Sequence, residues 1–216
     1  MDDQARRHNM VENQLRPSNV TDPRVLEAMG AVARPPFLPA SLKTVAYSDE
    51  DLVLPDGRFL VEPLVLARLL QLAAPTPSDT ALVVGCDTGY AGIVLAKLVG
   101  TVFALIAPAS MAEAEARIDS QEAVNLFAVA SAEPLAGHPE RGPYDVILVI
   151  GRVPNLPATL TAQLAEGGRL VGVVGEARVG RGTLVTKTHG HLGQRTVFDA
   201  AVPRFRGLQR PVVFEL

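Results

Sequence analysis

The sequence contains no tryptophan and a single cysteine, and aromatic residues fill only 5% of its 216 positions. With Cys86 alone, an internal disulfide is excluded, so the fold must rest on packing; the same count fits a reducing compartment. Long apolar runs are missing too. No stretch approaches the ~18 consecutive apolar residues that a membrane helix needs. Met1 to Arg16 is polar and charged, where a secretory leader carries an apolar segment. A soluble, cytoplasmic protein is expected. Positive charge is not in excess, with 20 Lys and Arg against 23 Asp and Glu. That balance excludes a general nucleic-acid binder, which needs a basic face to neutralise phosphates. His8, His138, His189 and His191 fall at no metal-ligand spacing with the cysteine, so no metal site is expected. Internal repeats and low-complexity segments are absent.

What is present is apolar: 48% of the residues, enough for a sizeable core. The length suits one α/β domain with an added subdomain. The division expected is a helical and irregular part over 1–74 and an α/β core over 75–216, forming one structural unit. In the first part, Thr21-Asp22-Pro23 signals a helix start, with a capping side chain and a proline near the first helical position. Residues Ala46 to Arg58 read as a loop or short hairpin turning at Pro55-Asp56-Gly57. Glu62-Pro63 opens a second helix that is apolar nearly all round and therefore buried.

From residue 75 strands and helices alternate. Strands are expected at Ala81 to Val84, Val102 to Ile106, Leu126 to Val129, Tyr144 to Ile150 and Arg169 to Val174. Helices are expected at Tyr90 to Leu98, Met111 to Ile118 and Pro157 to Leu164, with a turn at Gly167-Gly168. Leu184 to Lys187 and Pro211 to Phe214 look like closing strands, with antiparallel pairing because no long helix separates them. Alternation of this kind implies a mostly parallel sheet with helices on both faces. In such sheets ligands bind at the carboxyl ends of the strands, where the strand order reverses. The first strand–loop–helix, Leu82-Val83-Val84-Gly85-Cys86-Asp87-Thr88-Gly89-Tyr90, is that place. Its glycines allow a sharp turn and close backbone approach, and the helix offers free N–H groups. A plain β–α turn would use the same small residues.

Several segments together resemble the protein-L-isoaspartate O-methyltransferase family. Val20-Thr21-Asp22-Pro23-Arg24-Val25-Leu26-Glu27-Ala28-Met29 is similar to the family's opening helix, Phe37-Leu38-Pro39 to its FVP turn, and Ala46-Tyr47-Ser48-Asp49 to its AYxD segment. Pro143-Tyr144-Asp145-Val146-Ile147 and the run from Leu160 to Val171 are similar to its fourth strand, helix and fifth strand. The resemblance implies a Rossmann-like class I methyltransferase core, a mostly parallel seven-stranded sheet with a helical N-terminal addition. It also implies S-adenosyl-L-methionine as cofactor and methyl transfer to the isoaspartyl carboxylate of a protein or peptide substrate. By position it carries the cofactor site onto Gly85, Cys86, Asp87, Gly89, Ile106 and Glu133, and the substrate loop onto Arg58, Phe59, Leu60 and Val61.

The chain departs from the family at four places. Val83 stands where an acid is expected and Asp87 where the middle glycine is. Asp87 either meets the ligand or caps the next helix. Ile106 replaces the acid that accepts hydrogen bonds from the ribose hydroxyls; losing two such bonds weakens binding by ~10² to 10⁴. Glu133 keeps the charge for the adenine amino group without flanking glycines. Phe59 and Val61 replace the hydroxyl residues of the substrate loop, leaving Arg58 either to grip an acid through its fork or to sit exposed in the turn. Two readings therefore stand side by side: an active carboxyl methyltransferase, or a non-catalytic methyltransferase-fold binding or scaffold protein. A pocket re-used for a ligand without a ribose is a third.

Overall fold

The computed structural model describes residues 2–208. It opens with helix α1 (Asp3–Met10), continuing through a π turn and a 3₁₀ turn, then α2 (Pro23–Ala31). The Asp22 carboxylate caps α2 by accepting from the Arg24 N–H at 2.9 Å, as its sequence signal requires. Two 3₁₀ turns lead to a small antiparallel hairpin, β1 (Leu52–Val53) and β2 (Phe59–Leu60), closed at Asp56–Gly57. Helix α3 (Pro63–Ala73) follows and buries most of its length.

The core then runs β3 (Thr80–Val84), α4 (Tyr90–Ala96), β4 (Thr101–Ile106), α5 (Met111–Ser120), β5 (Leu126–Ala130), β6 (Tyr144–Val153), α6 (Ala158–Thr161), β7 (Leu164–Val174), β8 (Gly180–Thr188) and β9 (His191–Ala200). Among the described residues one seven-stranded sheet forms, in the order β5-β4-β3-β6-β7-β8-β9. The first five of these pair in parallel; β8 and β9 pair antiparallel. No helix among the described residues is long and apolar enough to cross a membrane.

Side chains alternate across the sheet with the two-residue period of a strand. Ala81 and Val83 join one apolar cluster, beneath α1 to α5; Leu82 and Val84 join another on the opposite face. That second face has thinner cover: Leu160 of α6, Leu135, Leu156, and Phe205 from the segment after β9. Arg169 locks α3 to β7, donating to the Ala73 and Ala74 carbonyls at 3.0 Å and to Asp79 at 2.6 Å.

Two expectations need correction. The helix expected over Pro157 to Leu164 shrinks to α6 because pairing with β6 claims its end: the Tyr144 N–H donates to the Gln163 carbonyl at 2.8 Å, and Leu164 pairs with Tyr144. The turn expected at Gly167-Gly168 lies within β7, where Gly167 has φ +77° and the register with β6 shifts. Among the described residues the last strand is β9, a strand not expected from the sequence, whose first seven residues are exposed; a segment so wet shows no period-two apolar signal. The strand expected at Pro211 to Phe214 lies outside the described residues.

Candidate active site

Strand order reverses between β3 and β6, and a cavity of about 220 Å³ opens there at the carboxyl ends of the strands. Against the ~30 Å³ a water molecule takes in the liquid, this is room for an organic ligand. Gly85, Asp87, Ala107, Pro108 and Ile150 form the strand-end wall. Ser131, Ala132 and Pro134 close one side, Gly57, Arg58 and Phe59 another, and Phe205, Arg206 and Gly207 the last.

The glycine loop is shaped by what packs behind it. Gly85 has φ +82°, and a Cβ there would stand 2.6 Å from the Ile150 carbonyl oxygen and 2.7 Å from the Phe205 ring. Gly151, at φ +114°, faces the Phe205 backbone in the same way, a Cβ falling 2.9 Å from Phe205 Cα. Only glycine fits both conditions. Cys86 turns inward: its Sγ accepts from the Gly92 N–H at 3.2 Å, and burial pushes the thiol up to about 12. It is an inert core group.

Asp87 does not cap α4. Gly89 occupies that cap, and no side chain bonds there. Nor does Asp87 adopt a positive φ, so the aspartate bears no left-handed strain. Its carboxylate reaches across to the next strand instead: Oδ1 accepts from the Ala107 N–H at 2.8 Å, just past the end of β4, and Oδ2 lies 3.5 Å from Arg206 Nη1. A carboxylate therefore stands beside the end of β4 after all, delivered from the loop after β3.

The other expected positions divide. Gly85 and Asp87 line the cavity; Cys86, Gly89, Ile106 and Glu133 do not. Val83 and Ile106 are fully buried in the core on the helix-covered face. Glu133 is exposed, and its neighbours Ser131, Ala132 and Pro134 take its place in the wall. In the substrate loop, Phe59 lines the cavity, while Leu60 and Val61 are buried. The Val61 carbonyl accepts from the buried Arg34 guanidinium at 2.9 Å. Arg58 corrects both expectations made for it. It is neither exposed nor open to an acid: its guanidinium donates to Asp56 at 2.6 Å, to Glu113 at 2.5 Å and to the Asp87 carbonyl at 3.3 Å. Tyr47 braces the N-terminal layer, its hydroxyl donating to Asp3 at 3.0 Å. His189 and His191 are exposed at the β8–β9 turn.

Phe205, Arg206 and Gly207 were not foreseen. They reach the cavity because the chain returns along the end of β6. The Arg152 N–H donates to the Pro203 carbonyl at 2.8 Å, and the Phe205 N–H to the Arg152 carbonyl at 2.9 Å. The Arg152 side chain ties the same segment to Val202, Gly175 and Glu176. Nothing in the local sequence announces such a return; the nearest signal is an aromatic and two arginines, Arg204-Phe205-Arg206, in a stretch with no helical or strand period.

A mostly parallel sheet with its cavity at this switch point is the architecture of the Rossmann-like methyltransferases. Solved structures carry the same fold. A protein-L-isoaspartate O-methyltransferase superposes with a TM-score of 0.80 at 24% identity, over 92% of this chain and 65% of that one. A Plasmodium falciparum protein assigned to the same activity, in complex with S-adenosyl-L-homocysteine, gives 0.74 at 21% identity, over 93% and 98%. The family model for protein-L-isoaspartate(D-aspartate) O-methyltransferase matches residues 5–201, and this chain belongs to that family. Protein-L-isoaspartate O-methyltransferase of Koribacter versatilis is 38% identical over 194 residues, 89% of this chain and 86% of that protein. The Methylorubrum populi protein of the same name is 38% identical over 172 residues, 79% and 80%.

Proposed function

We propose that this protein transfers a methyl group from S-adenosyl-L-methionine to the free carboxylate of isoaspartyl residues in proteins or peptides, in the cytoplasm. The observation that carries this reading is the Asp87 carboxylate at the end of β4. It supplies the acceptor for a ribose diol that Ile106 cannot, and hydrogen bonds to a charged acceptor are the strong ones. The walls suit the rest of the cofactor. Pro108, Ala132 and Pro134 bound an apolar slot of the kind a purine face fills, and Gly85 lets backbone lie close to the ligand. The cofactor brings an electrophilic methyl on a sulfonium; a carboxylate oxygen attacks it, the C–S bond breaks with its electron pair going to sulfur, and an ester and a neutral thioether result.

The chain's own contribution is positional. A carboxylate nucleophile is already ionised near neutral pH, so no general base is required, and holding the reacting atoms in line supplies most of the acceleration. Phe59 and Phe205 keep water from the reacting centre. The family supports a protein substrate, and a single, buried cysteine is compatible with a reducing compartment such as the cytoplasm. The scaffold alternative rested on all four departures; of these, Val83 and Ile106 are buried in the core and do not line the cavity, and Asp87 supplies a carboxylate at the end of β4.

Calorimetric titration with S-adenosyl-L-homocysteine tests the reading. Micromolar affinity is expected for the wild type, with a loss of about ten- to a hundred-fold in Asp87→Asn. Wild-type protein that shows no heat at millimolar ligand, together with no methyl transfer to an isoaspartyl peptide, returns the chain to the scaffold class.

A further inference from the structure

Two guanidinium groups line the cavity, and they are in opposite states. Arg58 is 10% exposed and spent on Asp56, Glu113 and the Asp87 carbonyl. Arg206 is 46% exposed, and among the described residues its one side-chain hydrogen bond, to Asp87, is 3.5 Å long, at the weak limit of such a bond. Its backbone is nevertheless fixed: the Phe205 ring beside it is buried, and the Leu208 N–H closes a turn on the Phe205 carbonyl at 3.1 Å. The arginine thus has an anchored base and an uncommitted head. Its charge reaches both edges of the opening. Burial pushes the Asp56 carboxyl up, but hydrogen bonds from Arg58 and the charges of Arg58 and Arg206 bring it below its ordinary value. Arg206 lines the cavity together with Gly57 and Asp87.

A carboxylate entering this cavity loses water, and an apolar wall such as Phe59 returns nothing to it; an unpaired buried carboxylate is strongly disfavoured. We propose that Arg206 recognises the substrate's carboxylate, donating to one oxygen and leaving the other to attack, with its weak contact to Asp87 given up as substrate enters. Arginine suits this role because its planar fork stays charged and presents several donors on one edge. The assignment rests on the methyl-transfer reading for the identity of the acid, and it concerns binding of that acid alone.

The test uses a fluorescently labelled isoaspartyl peptide titrated by anisotropy into full-length protein saturated with S-adenosyl-L-homocysteine, so that no turnover is needed. Arg206→Met, which keeps the apolar stem, is expected to weaken peptide binding about ten- to a hundred-fold. Arg206→Lys is expected to recover part of the loss, and S-adenosyl-L-homocysteine affinity to stay within about two-fold in both. Wild-type protein that binds the peptide through Arg206 yet never methylates it supports this assignment while sinking the transfer reading. Equal peptide binding by wild type and Arg206→Met overturns it, as does wild-type protein that binds no peptide. A parallel loss of cofactor-product affinity also overturns it, by placing Arg206 on the cofactor.

Discussion

The two faces of the central sheet are built on different terms. One lies under five helices, and its cluster holds Val83, Ile106, Leu148 and the buried faces of α3 and α4. That bulk shelters a polar layer: Arg34, fully buried, donates to the Ala46 carbonyl at 2.6 Å and lies over the Tyr90 ring at 5.0 Å, with Asp51 and Glu62 half-buried nearby. The other face holds a smaller cluster, and Phe205 is its one ring from the returning segment. The thick face has apolar surface to spare and tolerates polar groups. On the thin face a single side chain both closes the core and walls the active site, so stability and ligand binding are joined there.

Phe205→Ala tests that joining most directly. Removing a buried phenyl ring costs about 3–5 kcal/mol, read by chemical denaturation, and S-adenosyl-L-homocysteine affinity is expected to fall with it. Leu66→Ala on the thick face is the partner measurement: about 2–5 kcal/mol of stability lost, with affinity in the folded protein unchanged. If both variants keep affinity, the faces do not differ in the way described. Gly85→Ala comes next. Its Cβ meets the Ile150 carbonyl and the Phe205 ring and must sit at positive φ, so a loss of about 2–3 kcal/mol is expected. A melting curve that matches wild type would show that the loop and Phe205 move apart freely.

The smallest effect belongs to the thick face and appears only with pH. Burial, then the charges of Asp51 and Asp49, push Glu62 up to about 7; burial pushes Asp51 up to about 6. The folded state thus holds protons that the unfolded chain releases near 4.5. Stability is full below that value and is lost as pH climbs toward about 7. Glu62→Gln removes the loss, so the variant should gain on wild type between about pH 5 and about pH 8, by ~1 kcal/mol once solvent screening is allowed for. Parallel thermal midpoints across that range would show that Glu62 stays hydrated.

Most of the sheet was legible because burial imposes a period. Ala81 to Val84, Val102 to Ile106 and Tyr144 to Ile150 show the apolar run of a strand buried on both faces, and each forms a strand there. β9 was not, because its first seven residues lie in water on both faces and need no apolar alternation. The site was half legible. Gly85 announced itself through the strand–glycine–helix signature. Asp87 was seen but given the wrong partner, since the Ala107 N–H lies on a different strand and no local rule couples them. Ile106 is, as read, an apolar residue at the end of β4; the carboxylate beside it comes from Asp87 on the preceding loop, which no spacing along the chain announces. Arg206 could not be seen at all, being placed by tertiary return alone.

That return bears on how the protein is made. Gly57 and Gly207 share one cavity, so its walls come from distant stretches of chain, and closing such long loops is slow and entropically opposed. A nascent chain stalled before Phe205 emerges from the ribosome has the strand ends but neither the ring nor the arginine. Ligand cannot rescue such an intermediate by mass action, and chaperone dependence is expected to fall once Phe205 and Arg206 dock.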